Sequence, residues 1–468
     1  MFLIAKGTTM KSLASGWTGA SQRRLGRAGL AVVAAALLAA LAGCASAEQT
    51  TEASNDAFKP VTQDASSTIT VWADSTRLDA VKAYQSSHPQ AKLNVVTYDG
   101  GADGSTYLQT KVQLFDRTGS GWPDVVFAPP VDLTWASRPT TPGKVPFAAP
   151  LDGLVDQKLL DGFATGSLAP CQFNGHTYCM RNDLAQVVLW YNKKLMDKFG
   201  YTVPTTWEQY EALGEKVASE HPGYFIGSVG DTNAHESYFW ASQCPAFNLV
   251  KDSTLRVALQ DPKCTRMATL LDKLIANKSV STEAFFSAGY AKEHGSKTLM
   301  AFGPSWYGQY LFNNAFKVPA GEIAASNPLS WEGESQTFTG NVGGGTWVVS
   351  SHSKNLKAAT DLVTWLTTSN DYQSGAPTYP AYSPAAEAWL KNPANSDYFA
   401  DDITPAFTTA AGQVWTGWSN VKFSDQTAWS SVVLPALTEG KTLTETLPAW
   451  QQAISDEAKS DGYTVVNQ

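Results

Sequence analysis

Histidine and cysteine are scarce in this chain, six and five among 468 residues, and where they fall excludes several kinds of chemistry. None of the histidines stands at ligand spacing beside a cysteine, so a zinc site is not predicted. His235-Glu236 lacks the second histidine of a zincin helix, because Phe239 occupies that place. Glycine patterns fail in the same way. Gly303-Pro-Ser305 opens like a nucleophile elbow, but Tyr307 stands where a second glycine must permit the tight turn. Gly440-Lys-Thr442 has Pro435 at the place of the first glycine of a phosphate loop, and Gly343-Gly-Gly345 has Val348 where a dinucleotide motif ends in glycine. Carboxylate pairs such as Glu332 and Glu334 could be imagined as the acid and base of a glycosidase. A chain with 42 acidic residues holds many such pairs, and solvated loops account for them. No catalytic residue, metal ligand or cofactor is therefore predicted, and the chain reads as a non-enzyme.

Long apolar runs are the next deficit. The one extended run, residues 28–42, is an uncharged Ala/Leu/Val stretch preceded by Arg23, Arg24 and Arg27. It falls short of the roughly 20 residues that a spanning helix needs, and its layout is that of a signal peptide covering residues 1–43. Leu41-Ala42-Gly43-Cys44, directly after it, resembles the bacterial lipobox, which implies lipidation of Cys44 and anchoring at the extracellular face of the bacterial cytoplasmic membrane. Cleavage after Ala45-Ser46-Ala47, releasing a soluble protein, is the competing outcome, and Arg23-Arg24 hints at the twin-arginine route. Positive charge is in deficit too. Removing residues 1–43 takes five cations and no acid, leaving 29 Lys and Arg against 42 Asp and Glu, a net of −13. A basic patch for nucleic acid or anionic lipid is excluded on that balance.

The remaining 425 residues exceed a single typical core, so two domains are expected. Cys171, Cys179, Cys244 and Cys264 permit three connectivities. Of these, the two short loops, Cys171 with Cys179 and Cys244 with Cys264, are preferred. Residues 44–66 lack apolar periodicity and read as a flexible tether, with order starting at Ser67. Thr68-Ile-Thr-Val-Trp72 alternates like a strand, and Leu78, Val81 and Tyr84 recur at helical spacing. Residues 93–98 form a second strand, residues 107–115 a second helix, and Pro123-Asp-Val-Val-Phe127 a third strand. Strands alternating with helices predict an α/β fold with a parallel sheet. A capping box, Thr205 with Glu208 or Thr206 with Gln209, would open a helix near residue 205. Gly343-Gly-Gly-Thr-Trp-Val-Val-Ser350 reads as a strand, and Ser353 is expected to cap a helix with the apolar stripe Leu356, Ala359, Val363 and Leu366.

What the chain has in abundance is aromatic side chains: 16 Trp, 17 Tyr and 20 Phe, many beside Gly and Pro rather than on apolar stripes. A sugar ring presents an apolar face and a rim of hydroxyls, so its site needs flat aromatic surfaces together with charged or amide groups. A buried hydroxyl left unpaired costs of order 1–3 kcal/mol. Segments supplying both are Trp72-Ala-Asp-Ser-Thr-Arg77, Arg181-Asn-Asp183, Glu236-Ser-Tyr-Phe-Trp240, Trp306-Tyr307, Tyr379-Pro-Ala-Tyr382 and Trp415-Thr-Gly-Trp418. Asp74, Arg77, Asn182, Asp183 and Glu236 are the expected hydroxyl contacts, and Trp72, Trp240, Trp306 and Trp418 the ring platforms. Tyr379 belongs to the same candidate set.

Six motifs recur here in a set order: Ile69-Thr-Val-Trp-Ala73, Pro123-Asp-Val-Val-Phe127, Leu189-Trp-Tyr-Asn-Lys193, Val203-Pro-Thr-Thr-Trp-Glu-Gln-Tyr210, Gly303-Pro-Ser-Trp306 and Gly344-Gly-Thr-Trp-Val-Val349. Ser353-Lys-Asn355 then leads into a helix. In this order they resemble the sugar-binding class of bacterial extracellular solute-binding lipoproteins, the maltose-binding-protein-like partners of ABC importers. The resemblance implies a two-lobed periplasmic-binding-protein-like fold, the lobes joined by a three-segment hinge with a ligand cleft between them. Crossovers would fall near Tyr178, near Gly340 and at residues 375–382. Lobe 1 would hold residues 67–178 and 341–375, and lobe 2 residues 179–340 and 376–468. The resemblance puts ligand contacts at Asp74, Arg77 and Asp132 on one side, with Glu236, Tyr238, Trp306 and Tyr307 facing them, and adds Gly344 through the shared glycine motif. It implies a monomer that closes on a carbohydrate, an oligosaccharide by preference, and hands it to ABC permease subunits. The rival functions are a lipid-anchored glycoside hydrolase and the same fold binding a peptide or polyamine.

Overall fold

The computed structural model describes residues 58–98, 104–129, 133–138, 145–251 and 253–467. The signal segment, Cys44, most of the tether and Asp132 lie outside the described residues.

Alternation builds the first strand. In β1 (Ile69–Ala73) the odd positions Ile69, Val71 and Ala73 are buried, while Thr70 and Trp72 are half-buried on the opposite face. It pairs in parallel with β2 (Leu93–Thr97) and β3 (Val125–Ala128), as the strand-helix alternation predicts. The sheet is completed by two strands from distant parts of the chain, β4 (Met180–Asp183) and β8 (Gly345–Val349), in the order β2-β1-β3-β8-β4. β8 runs antiparallel to both its neighbours, so the sheet is mixed rather than purely parallel. Every residue of β3 and β8 is buried, as expected for strands covered on both faces. One covering element is the helix Leu356–Thr368, whose stripe Leu356, Ala359, Val363 and Leu366 is buried. Its cap differs from the expected one. Asn355 accepts from the backbone N–H of Ala358, whereas Ser353 donates to Asp124 Oδ1 at 2.6 Å and so ties the helix entry to the sheet. Asn355 sits one residue before the first turn, where an amide oxygen reaches the orphan donors directly.

A second sheet, antiparallel and in the order β6-β5-β7, comprises β5 (Val187–Asn192), β6 (Met300–Pro304) and β7 (Ile323–Ser326). Beside it lies a core of Trp207, Tyr210, Phe239, Leu271, Phe302, Trp429 and Trp450. The helix Trp207–Glu220 supplies two of these rings, and Thr206 caps it by accepting from the Gln209 N–H. The Gln209 side chain in turn accepts from the backbone N–H of Thr205, one residue further out than the expected reciprocal box. Both disulfides pair as preferred, Cys171 with Cys179 and Cys244 with Cys264.

The fold is thus α/β and two-lobed, and three segments run side by side between the sheets. Residues 184–186 link β4 to β5, so the chain leaves the first sheet after Asp183 rather than near Tyr178. The reason is that Met180–Asp183 is an integral strand, paired with β8. Val187 N donates to Gly340 O, Val342 N to Ala185 O, and Leu184 N to Tyr379 O. Ordered packing also starts earlier than Ser67. Gln63 Oε1 accepts from Leu356 N, Gln63 Nε2 donates to Ser353 O, and Asp64 N donates to Lys354 O.

Candidate ligand-binding site

A cavity of about 450 Å³ opens where these connecting segments meet. Arg138, Phe173 and Arg181 line it on the side of the first sheet, and Glu236, Trp240, Phe247, Trp415, Trp418 and Asp425 on the other, with Asn341 and Gly343 between. Its size is within the range typical of small-molecule pockets, roughly 300–1,000 Å³.

The helix Ala234–Ala241 explains how two of the expected contacts reach it. Glu236 and Trp240 are four residues apart, so they lie on one face and both line the cavity. Tyr238 falls between them and points about 200° away. It is buried against Trp207 and Phe302 in the second core, and so is not at the cavity as expected. Trp240 meets Trp418 edge-on at 5.5 Å and Trp415 at 6.4 Å between centroids, forming an aromatic wall. Trp418 is held in place by its Nε1, which donates to Cys244 O at 2.7 Å. Trp415 folds back over its own chain. A Cβ on Gly417 would stand 1.9 Å from the Trp415 ring, so only glycine fits there.

The polar half of the wall is buried and strongly perturbed. Gln426 Nε2 donates to Glu236 Oε1 at 2.7 Å, and His235 Nε2 pairs with Asp425 Oδ2 at 2.9 Å. Burial first, and then the neighbouring Asp425 carboxylate, push the Glu236 acid well above the usual range. Arg181 is almost wholly enclosed. Burial pulls its guanidinium down to about 10 against the support of Asp183, while Nε donates to Asp183 O and Nη2 to Gly343 O. The adjoining Gly344 has φ +84°, and a Cβ there would lie 2.6 Å from Arg181 Nη2. Gly344 thus leaves room for the Arg181 guanidinium, while its neighbour Gly343, not Gly344 itself, lines the cavity.

Asp74, Arg77, Asn182 and Asp183 also come together, at the end of the first sheet. Arg77 Nη1 lies 3.6 Å from Asp74 Oδ2 and Nη2 lies 3.7 Å from Asp183 Oδ2, with the guanidinium over the Phe127 ring. Asn182 Nδ2 donates to Asp183 Oδ1, and Asn182 Oδ1 accepts from Trp347 Nε1. These groups are engaged with one another and do not line the 450 Å³ cavity. Trp72 stands apart from it as well, packed on Tyr107 and Phe115.

Trp306 and Tyr307 diverge because they are adjacent. Trp306 is half-buried, touches the exposed Phe286 and donates from Nε1 to Val342 O on a connecting segment. Tyr307 turns inward over Gly303 and hydrogen-bonds the Asp231 carboxyl, which burial pushes up to about 6. Tyr379 is likewise interior, packed edge-on against Trp389 and Phe407. Tyr307 and Tyr379 are thus corrections to the expected set: each ring fills a core instead of facing a ligand. Sequence reasoning missed Arg138, Phe173, Phe247 and Asp425, which lie outside the segments it singled out.

Two layered lobes, three connecting segments and a cavity at their junction define the architecture of a hinged binding protein. The sequence matches the bacterial extracellular solute-binding protein family over residues 71–373, and the chain belongs to that family. It is similar to a probable ABC transporter-binding protein of Deinococcus radiodurans, at 25% identity over 266 residues, which cover 54% of this chain and 62% of that relative. The match thus spans less than two thirds of the relative's length. Among solved structures, the galacto-N-biose-/lacto-N-biose I-binding protein of the ABC transporter from Bifidobacterium longum, in complex with lacto-N-biose, aligns with a TM-score of 0.70 and 19% identity, covering 86% of this chain and 100% of that one. The ABC transporter associated binding protein from B. animalis subsp. lactis, in complex with beta-1,6-galactobiose, aligns at 0.64 with 20% identity, covering 85% and 98% respectively. Among the described residues no helix is long and apolar enough to cross a membrane.

Proposed function

We propose that this protein captures a carbohydrate in the cavity between its lobes, closes over it, and presents it to the permease of an ABC importer without chemical turnover. The observation that carries this reading is the composition of the cavity wall. Indole rings of Trp240, Trp415 and Trp418 stand beside Arg138, Arg181, Glu236, Asn341 and Asn420 in one 450 Å³ space. Flat apolar faces next to charged and amide groups are what a sugar ring with its hydroxyl rim requires. The two solved structures described above are complexes with lacto-N-biose and beta-1,6-galactobiose, which supports the same class of ligand here.

A glycoside hydrolase would need two carboxylates astride the scissile bond, about 5–5.5 Å apart in a retaining enzyme and further in an inverting one. Of the two acids in the wall, Asp425 is already engaged by His235 and Glu236 by Gln426, which favours capture over hydrolysis. Lipidation at Cys44, a tether before residue 58 and action as a monomer complete the proposal, with the lobes rocking about residues 184–187, 339–344 and 379–382. Thermal-shift screening with mono- and oligosaccharides tests it, since a ligand at 100 times its Kd stabilises by about 2.7 kcal/mol. Stabilisation without release of reducing ends is the expected result. Failure of every saccharide to stabilise, or stabilisation by peptides or polyamines instead, overturns it.

A further inference from the structure

We propose that Glu236 faces the cavity as a neutral carboxylic acid, that Asp425 is the positioning residue that keeps it so, and that Glu236 donates its O–H to an acceptor oxygen of the bound saccharide. This deepens the carbohydrate reading and rests on it.

Glu236 and Asp425 both line the cavity, are at most 9% exposed, and with His235 bring their polar atoms within 4.8 Å of one another. Two carboxylates so close and so dry cannot both stay charged without a cation between them. Among the described residues no Lys or Arg forms an ion pair with either, and the basic side chain in contact is His235, on Asp425. Their partners tell them apart. We assign the His235 ring hydrogen to Nε2, 2.9 Å from Asp425 Oδ2, so that Asp425 accepts from a ring that is fully buried and stacked between Trp418 and Trp429. Glu236 receives only an amide N–H, from Gln426 to Oε1, which leaves Oε2 to carry the proton.

The other charged groups nearby favour the same assignment. From the helix Leu443–Ser460, Glu457 adds a further acid facing Asp425, itself pushed up to about 7 by burial and by Asp425 and Asp461. Asp231, on the turn before the Glu236 helix, is engaged by Tyr307 instead. Arg138 and Arg181 share the cavity wall, but Arg181 is committed to Asp183 O and Gly343 O, and Arg138 lies over the Phe173 ring. Burial and Asp425 together raise the Glu236 acid, in agreement with the geometry. An acid that donates selects differently from a carboxylate that accepts. It seeks a ring, glycosidic or carbonyl oxygen, where a carboxylate would seek a hydroxyl hydrogen.

The test is calorimetric titration of the mature protein with the best-binding oligosaccharide from pH 5 to 9, for wild type, Glu236→Gln and Asp425→Asn. Wild-type affinity should fall about tenfold per pH unit once Glu236 begins to ionise. Glu236→Gln, whose amide always donates, should show a flat profile and overtake the wild type at the alkaline end. Asp425→Asn should shift the wild-type fall to lower pH, which loss of packing alone would not do. A flat wild-type profile, or parallel profiles for wild type and Glu236→Gln, overturns the proposal. A ligand-free arm separates this from failure of the carbohydrate reading. In urea unfolding, the wild type should lose stability relative to Glu236→Gln as pH rises above the ordinary glutamate range, because the folded state holds its proton longer than the unfolded chain. Identical pH profiles of stability would overturn the neutral acid even if no saccharide binds.

Discussion

Trp418 Nε1 donates to Cys244 O at 2.7 Å, so a ring in the wall of the cavity hangs from one half of the Cys244–Cys264 disulfide. The bridge therefore does more than restrict the unfolded chain. It fixes the floor on which Trp418 and Trp240 are set.

Replacing Cys244 and Cys264 by serine should lower stability by about 3 kcal/mol on the chain-entropy account and weaken saccharide binding as well. Breaking Cys171–Cys179, which closes a shorter loop, should cost about 2.5 kcal/mol. Denaturant unfolding and calorimetry on the two double variants check both figures.

Trp415→Ala removes a partly exposed ring from the wall and should weaken binding about tenfold with little loss of folding stability. Gly417→Ala should weaken binding too, because its methyl group would occupy the space of the Trp415 ring and turn that ring out of place. Unchanged affinity in either variant would remove Trp415 from the site.

Gly344→Ala meets both a left-handed φ of +84° and the Arg181 guanidinium. A destabilisation of about 1–3 kcal/mol is expected, readable as a lower urea midpoint. Glycine at this position thus keeps a buried cation where the segments cross.

Asp231 titrates in the folded protein at about 6, well above its ordinary value, because it is buried. The sign follows from proton linkage. The folded state binds the proton more tightly, so this contribution is complete below the unfolded pKa and is lost as pH rises toward and through 6. Asp231→Asn should flatten stability between pH 4 and 7, as measured by urea unfolding, and equal slopes in both proteins would count against it.

How much was legible in the sequence follows from what each signal depends on. Alternation in β1 and the stripe of the helix Leu356–Thr368 are local patterns, and both form as read. The antiparallel β8 was not legible, because direction is set by a connection that crosses between lobes. At the site, the cluster from Glu236 to Trp240 was visible, but the helical period sends Tyr238 inward while its neighbours two residues away line the cavity. Tyr307 and Tyr379 failed for the related reason that a tyrosine beside Gly or Pro fills a core as readily as a cleft. Asp425 and Arg138 are brought to the wall only by the tertiary fold, so no spacing could have found them.

The early mooring of the chain has a mechanical consequence. Gln63, Asp64 and Ala65 fasten the segment from residue 58 to the entry of the helix Leu356–Thr368, which packs on the first sheet. A pull on that segment is borne by one lobe alone. Under the proposed anchoring, the other lobe carries none of that load, so the force that holds the molecule at a surface need not oppose closing.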